Sequence, residues 1–437
     1  MAAEAGMGTV RGLLPAGRAA PLAPGPPPAS APAHGGVAMT VSQAPPGTGA
    51  PSRTNGLPES APSLRVIGDV AAWDAIRADW DALYQASPTA STPLDFTWLR
   101  HWWDVYGPVY GRGGLRIITL WRGARLVGVL PLYLDVGRGG RLGVRCLRFL
   151  STGEAEFEEV CADYLDLLHL PDEEMACAKA AWRAIDAMAW DTLELLDLSE
   201  HSALLRWRSA FPRHARLQPV SRDACPIAFI GDGFEAYLAR LSSKSRMRAR
   251  QEMRKVERSG AVFELADAAE AERYFDELIR IHQERWMADG RPGCFAAPRF
   301  TEFHRRLVRE WVASGRVILA RLSHQASTFV VLYGFVTGRK FDLYQLGVMP
   351  DERAVIHSPG MAANLLLMAQ LAGREMDRYD FLRGTSAFKK SLTTEQCGMV
   401  CLACRRPTMR AAFGEVRHLL LRAGRKVGQL VSRGRLP

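Results

Sequence analysis

The chain has 437 residues, enough for two to three domains at roughly 150 residues each. Hydrophobic residues make up 48% and charged residues 23%, a globular profile that excludes wholesale disorder. The net charge of +10 suits an acidic partner: a phosphorylated cofactor, a nucleic acid or an anionic membrane surface. Most of that charge is Arg in a chain full of Ala, Gly and Pro, and this general bias limits its weight.

No early segment combines a basic start, a long apolar stretch and a cleavage site, and the eight cysteines are scattered. Reduced thiols and a cytoplasmic location are therefore expected. Cys401 and Cys404 form a CxxC near Cys397. A structural zinc needs four ligands, usually from two such pairs, and no second pair exists. Small residues in a strand are the reading there, and no metal is expected. No apolar run approaches the ~20 residues of a membrane-spanning helix, so a soluble protein is expected.

Residues 1–62 hold Ala, Pro, Gly and Ser with almost no aromatic or β-branched clusters, and read as disordered. Met39 offers a second start. From residue 63 the chain runs through one pattern twice. In the first pass, residues 70–85 place Val70, Trp73, Ile76, Trp80 and Leu83 at helical spacing. A second helix spans 94–106. Strands are predicted at 115–121, 126–134, 146–150 and 164–170. Pro171 and Asp172 open a helix to about Ala189, and a strand at 192–198 closes the unit.

The second pass begins near residue 216, after which comes a helix at 237–259 dense in Arg and Lys. Helices at 268–287 and 299–313 are followed by strands at 316–322, Ser327–Thr337 and Lys340–Val348. A loop at 349–359 leads into a helix at 360–374, and a strand at 379–382 ends the unit. Phe96-Thr97-Trp98-Leu99 and Phe300-Thr301-Glu302-Phe303 occupy equivalent places. The repeated order predicts an α/β protein in two halves, 63–215 and 216–408, each with a mixed sheet. Residues 409–437 read as a basic tail with an amphipathic helix at 409–431, either a solvated face or one that suits a membrane surface.

Several stretches carry a family resemblance: HQERWMADGRPGCF (282–295), FDLYQLGVMPDERAVIHSPG (341–360) and YDFLRGTSAFKKSL (379–392), with ASTPLDFTWLRHWW and GVLPLYL in the first half. Over about 64–405 the chain resembles the CelD/BcsL group of GNAT-like acetyltransferases, a family often named for cellulose biosynthesis. It is more distantly similar to Fem-type aminoacyltransferases, which duplicate the same fold. The resemblance implies two tandem GNAT-like halves with mixed β-sheets flanked by helices. It implies acyl-CoA, chiefly acetyl-CoA, as co-substrate, and a small or saccharide acceptor in exopolysaccharide or envelope metabolism. It also implies that Gly347 and Val348 lie on the strand that receives the acyl-pantetheine arm. One departure stands out. GNAT enzymes cradle the CoA pyrophosphate with Arg/Gln-x-x-Gly-x-Gly/Ala, whereas residues 353–360 read RAVIHSPG, with one Gly in place of two.

The loop still makes sense as an anion site. A helix N-terminus offers unpaired N–H groups and a positive dipole end. Ser358 is the expected cap, Pro359 suits the first helical position, and Gly360 and Met361 follow where a phosphate would rest. Arg353 adds a charge-assisted contact. A good helix start with no ligand satisfies the same residues.

His282 and Glu284 are alternative general bases. Two residues apart on a helix, they do not share a face, so at most one points into the site. Arg285 and Trp286 are acceptor-side candidates. Asp380 is placed to orient an acceptor or to pair with Lys389 or Arg383, and those two cations are candidates for an anionic group. Tyr344 and Tyr379 are alternative general acids for the leaving thiolate, with core packing as the competing role. Arg246, Arg250 and Arg254 line one helix face, a solvated surface or a contact to phosphate, glycan, lipid or tRNA. No Walker loop, dinucleotide fingerprint or nucleophile elbow is present. Direct attack without a covalent nucleophile is the expected N- or O-acyl transfer. The rivals are an aminoacyl-tRNA-dependent Fem-type transferase and a degenerate scaffold.

Overall fold

A computed structural model describes residues 61–137, 143–325, 327–349, 358–384 and 386–412. Arg353 and the rest of 350–357 lie outside the described residues, as do residues 1–60 and the basic tail from 413 onward.

The first half opens with β1 (Ser63–Ile67), α1 (Val70–Asp74), α2 (Arg77–Ala86) and α3 (Phe96–Tyr110). The helical pattern at 70–85 is thus two helices, broken between Asp74 and Arg77. Asp69 caps α1 through the Ala72 amide, and Asp95 caps α3 through the Thr97 and Trp98 amides. The predicted strand at 126–134 also divides. Pro131 has no N–H for a ladder, so β3 (Arg125–Leu130) and β4 (Leu132–Val136) join different sheets. β2 (Ile117–Arg122) precedes them. β5 (Arg145–Phe149), β6 (Leu168–His169), α4 (Glu174–Ala187) and β7 (Thr192–Ser199) complete this pass, and the short α5 (Ala203–Arg206) follows.

The second half adds β8 (Gln218–Phe229), α6 (Phe234–Arg240), α7 (Ser243–Ser259), β9 (Val262–Leu265), α8 (Ala271–Ala288) and α9 (Pro298–Trp311). Then come β10 (Val317–His324), β11 (Ser327–Thr337), β12 (Lys340–Val348), α10 (Pro359–Ala372), β13 (Arg378–Asp380), α11 (Ala387–Leu392) and β14 (Glu395–Arg405). The basic helix at 237–259 is likewise two helices, α6 and α7.

The chain adopts a mixed α/β architecture with sheets flanked by helices. The strands are shared out differently from one sheet per half. A small sheet has the order β1-β2-β3-β6, and a ten-stranded sheet runs β4-β5-β7-β14-β8-β13-β12-β11-β10-β9 through both halves. Each half supplies one parallel pair with a helix crossing between its strands: β5 with β7 around α4, and β12 with β13 around α10. At the centre, β14 from the end of the chain pairs with β7 of the first half. β8 pairs with β13 of the second, and β8 and β14 pair with each other. The second half therefore lends β14 to the first half's share of the sheet. CxxC residues Cys401 and Cys404 lie within β14, and none of the eight cysteines is in a disulfide.

Equivalent helices α3 and α9 pack against one another across the halves. Trp98 meets Phe303 edge-on at 4.9 Å and Phe335 at 5.2 Å. Polar ties close the same seam. The buried Glu158 carboxylate pairs with Arg299 at 2.9 Å, and Asp95 with Arg316 at 2.6 Å. Among the described residues, no helix is long and apolar enough to cross a membrane.

Candidate active site

The site is built on β12. Along β11 the ladder has a bulge: Tyr333 faces Gln345 and Gly334 faces Leu343, leaving Tyr344 as the extra residue. On its other side, β12 pairs with β13 only from Lys340 to Asp342. After that the chain of β13 turns away, and Phe381 donates its amide to Pro226 of β8 at 2.9 Å. From Leu343 to Val348, β12 has no strand partner on that side among the described residues. Its main-chain N–H and C=O groups there can pair with an extended ligand arm, as an added strand would.

That open edge leads toward α10, where Pro359 occupies the first turn as its sequence predicts. Ser358 is the N-cap residue, yet its side chain makes no capping bond. Its Oγ instead lies 3.5 Å from the Arg248 guanidinium of α7. The expected Ser358 cap is therefore corrected: the first amides of α10 gain no acceptor from it. Gly360 is also corrected. A Cβ there would sit 3.2 Å from Val348 Cγ2, so its small size serves the packing of α10 on β12. Met361, in the same turn, is buried. Gly347 has a matching role toward α8, where an added Cβ would lie 3.0 Å from Leu278 Cδ1 and 3.3 Å from Leu278 O. The two glycines let a helix close on each face of β12.

His282 comes from the last turns of α8 and is 3% exposed. Its Nδ1 lies 3.2 Å from Gln283 Oε1, and its Nε2 lies 3.8 Å from Cys294 Sγ. Gln345, projecting from the bulged part of β12, donates to the same sulfur at 3.7 Å. Trp286 and Phe295 lie beside the imidazole at 5.7 and 5.1 Å. Burial pulls the imidazole pKa down to about 4, and Arg285 pushes in the same direction. The His282 imidazole is therefore neutral at ordinary pH. Glu284 points elsewhere on the helix and pairs with Arg280 at 3.4 Å. Of the two alternative bases, His282 faces β12.

Tyr344 lies deeper. Its hydroxyl donates to Val160 O at 2.5 Å and lies 3.0 Å from His304 Nε2, while His304 Nδ1 lies 3.1 Å from the Tyr333 hydroxyl. Its partners are all protein groups, and burial raises its pKa well above the usual phenol value. Tyr379 is also buried, and its hydroxyl donates to Asn364 Oδ1 at 2.6 Å.

Asp380, Arg383 and Lys389 form a separate cluster against the first half. The fully buried Asp380 carboxylate accepts from Tyr164 at 2.6 Å and from the Leu382 amide at 2.8 Å, with Lys340 Nζ at 3.6 Å. Burial raises its pKa, partly offset by Lys340. Asp380 thus pairs with Lys340 and not with Lys389 or Arg383. Arg383 meets Asp163 and Asp197 at 2.8 and 2.9 Å, and Lys389 Nζ donates to the carbonyls of Phe381, Leu382 and Arg383. Both cations are thus engaged by the protein itself. Cys161, Tyr164, Asp197 and Leu382, all non-glycine, hold positive φ here. The enclosed space between Thr92, Trp98, Cys161, Asp163, Asp342 and Tyr344 is only about 10 Å³, near the limit for one water. A larger cavity of about 180 Å³ lies among Ser91, Tyr164, Asp166, His201, Ser202 and Lys340.

One trio, exposed Glu200 and His201 with buried Cys397, brings its side-chain ligand atoms within 4.8 Å of one another. The Gly398 amide holds Glu200 at 2.7 Å, which accounts for the carboxylate's position without an ion.

The predicted residues therefore separate. His282, Gly347, Val348 and Trp286 gather along the open half of β12, with Arg285 on the same helix turn. Asp380 and Arg383 knit the two halves, and Lys389 ties α11 to the loop after β13. Cys294, Gln283 and Gln345 were not singled out from the sequence, although the stretch at 282–295 contains the first two. Their convergence comes from the loop after α8, whose Gly290 and Gly293 hold positive φ.

Residues 243–390 match the family described as an acetyltransferase (GNAT) domain. No curated protein matches the chain. Among solved structures, FemX is 12% identical with a TM-score of 0.52, over 76% of this chain and 96% of that one. L-PGS from Bacillus licheniformis is 11% identical with a TM-score of 0.47, over 78% and 96%. A tandem GNAT protein from the clavulanic acid biosynthesis pathway is 14% identical with a TM-score of 0.43, over 79% and 100%. The segment that holds α8, β12 and α10 thus matches the acetyltransferase (GNAT) domain family, in a chain whose fold is similar to that of FemX.

Proposed function

We propose that this protein transfers an acyl group from acyl-CoA to an amine or hydroxyl acceptor. The observation that carries the reading is the loss of pairing between β12 and β13 after Asp342 and Asp380, on the domain that matches GNAT acetyltransferases. The open main chain of β12 binds the acyl-pantetheine arm, and its N–H groups polarise the thioester carbonyl. The uncapped N-terminus of α10 meets the pyrophosphate, with Arg248 beside it. His282 is the base and stays neutral through burial. The acceptor enters beside Trp286 and Arg285 and belongs to exopolysaccharide or envelope metabolism, as the CelD/BcsL resemblance suggests.

A thermal-shift panel of CoA, acetyl-CoA and longer acyl-CoAs tests the donor. At a concentration about 100 times Kd, a donor adds roughly 2.7 kcal/mol to the folded state. A rise in Tm with acyl-CoA is expected. No shift with any member of the panel overturns the reading.

A second reading, an aminoacyl-tRNA donor, is favoured by α7. This helix leaves Lys244, Arg248, Arg250, Arg254 and Arg258 exposed, with Arg248 at the start of α10. Tight tRNA binding whose affinity falls steeply with salt selects it over acyl-CoA.

A further inference from the structure

The loop that follows α8 holds more than a single base. Four side chains there form one ordered chain of hydrogen bonds. Gln283 donates through Nε2 to Pro292 O at 2.6 Å, which turns its Oε1 toward His282. That oxygen lies 3.2 Å from His282 Nδ1 and fixes the proton on Nδ1. His282 Nε2 is left as an acceptor, and the group it faces at 3.8 Å is Cys294 Sγ. Gln345 approaches the sulfur from β12 at 3.7 Å as a donor. Gly293 keeps the assembly closed: its φ is +68°, and a Cβ at this position would collide with Gln283 Oε1. A nucleophile, a base within reach and a third group orienting the base are the requirements for covalent catalysis.

Position supports the same role. Gln345 and Gly347 are alternate residues of β12 and face α8 together, beside the strand edge left open after Asp342. Cys294 is partly exposed, while His282 behind it is buried. An acyl group carried along that edge meets the sulfur before it meets the imidazole.

We propose that Cys294 is a covalent acyl carrier, with His282 as its base and Gln283 as the residue that positions the base. The proposal rests on the acyl-transfer reading above. Cys294 Sγ attacks the thioester carbonyl while its proton passes to His282 Nε2. The bond from the carbonyl carbon to the departing sulfur breaks, and that sulfur leaves as a free thiol carrying the same proton. An acceptor amine or hydroxyl then attacks the Cys294 thioester and gives its proton to His282. The bond to Cys294 breaks, and Sγ regains a proton from His282. One thioester is exchanged for another, and then for an amide or ester, with no oxidant or reductant. Burial keeps both resting groups neutral, so charge appears only as the carbonyl oxygen becomes negative and the Gln345 amide N–H steadies the sulfur.

The full-length protein is mixed with acetyl-CoA in the absence of acceptor and quenched in acid. Intact-mass and peptide analysis are expected to find one acetyl group on Cys294, cleavable by hydroxylamine, with a matching burst of free CoA. Cys294→Ser is expected to lose the label and the burst while acetyl-CoA still raises its Tm as in wild type. His282→Ala slows the burst by on the order of 10²-fold or more. Gln283→Leu slows the burst without changing the Kd for acetyl-CoA, a split that a merely structural role does not produce. If wild type binds acetyl-CoA but acquires no label, and Cys294→Ser turns over normally, the carrier is overturned and acyl transfer stands. If acetyl-CoA neither binds nor labels, both fall.

Discussion

His282 shows what burial does to one residue. Its pKa falls from the ordinary 6.5 to about 4 because the protonated ring loses its hydration in the apolar space beside Phe295 and Trp286. The folded state binds this proton less readily than the unfolded chain does. Stability from His282 is therefore complete above about pH 6.5 and declines as pH falls from there toward 4. His304, fully buried, shifts in the same direction. With His282 as the base, the acid limb of kcat/KM is expected below pH 6.5 and moving toward 4. A limb at or above pH 6.5 removes His282 from that role. Gly347 makes a second residue-scale prediction. Gly347→Val forces a side chain against Leu278 and is expected to cost about 1–3 kcal/mol, read from urea unfolding.

At the scale of elements, helix starts that look alike in sequence differ in structure. Asp95 accepts the Thr97 and Trp98 amides and also pairs with Arg316. Ser358 has the sequence of a cap but makes no capping bond. Asp95→Ala is expected to cost about 2 kcal/mol or more, since a cap and a nearly buried ion pair go together. Ser358→Ala is expected to stay within about 0.5 kcal/mol of wild type in the absence of ligand. Equal losses in the two variants, measured by denaturant midpoints, would refute this account of α10. Ser358 also replaces Gly360 as the position at which to probe the donor, because a large side chain at Gly360 would displace Val348 before it met a ligand.

For the whole molecule, the pairing of β14 with β7 makes the first half depend on the second. A chain of residues 63–215 lacks β14, the partner along which Thr192–Ser199 is paired in the intact protein. It also lacks Arg299, the cation facing buried Glu158. Such a fragment is expected not to unfold as a cooperative unit, and a sharp calorimetric transition from it would count against that dependence. Arg299→Ala in the full chain is expected to cost about 1–3 kcal/mol, because Arg299 is partly exposed and the Tyr110 hydroxyl still donates to Glu158.

Local chemistry in the sequence determined the repeated helices and strands, the proline start of α10 and the strand β12. Apolar period, turn residues and helix starts act over a few neighbours and need no fold to be read. Charged positions on α8 were legible only as alternatives, since a helix shows spacing but not which face meets β12. β8 was missed because Pro219 and Pro226 and the charged Arg222 and Asp223 interrupt any strand pattern. Its identity comes from pairing with β13 and β14, strands far along the chain. The same holds at the site. Cys294 lies twelve residues from His282, and their approach depends on a loop bent at Gly290 and Gly293 and on a side chain from β12. Contacts closed over long separations carry no local signature, so the tertiary structure alone decided how β12 opens and which sulfur stands beside it.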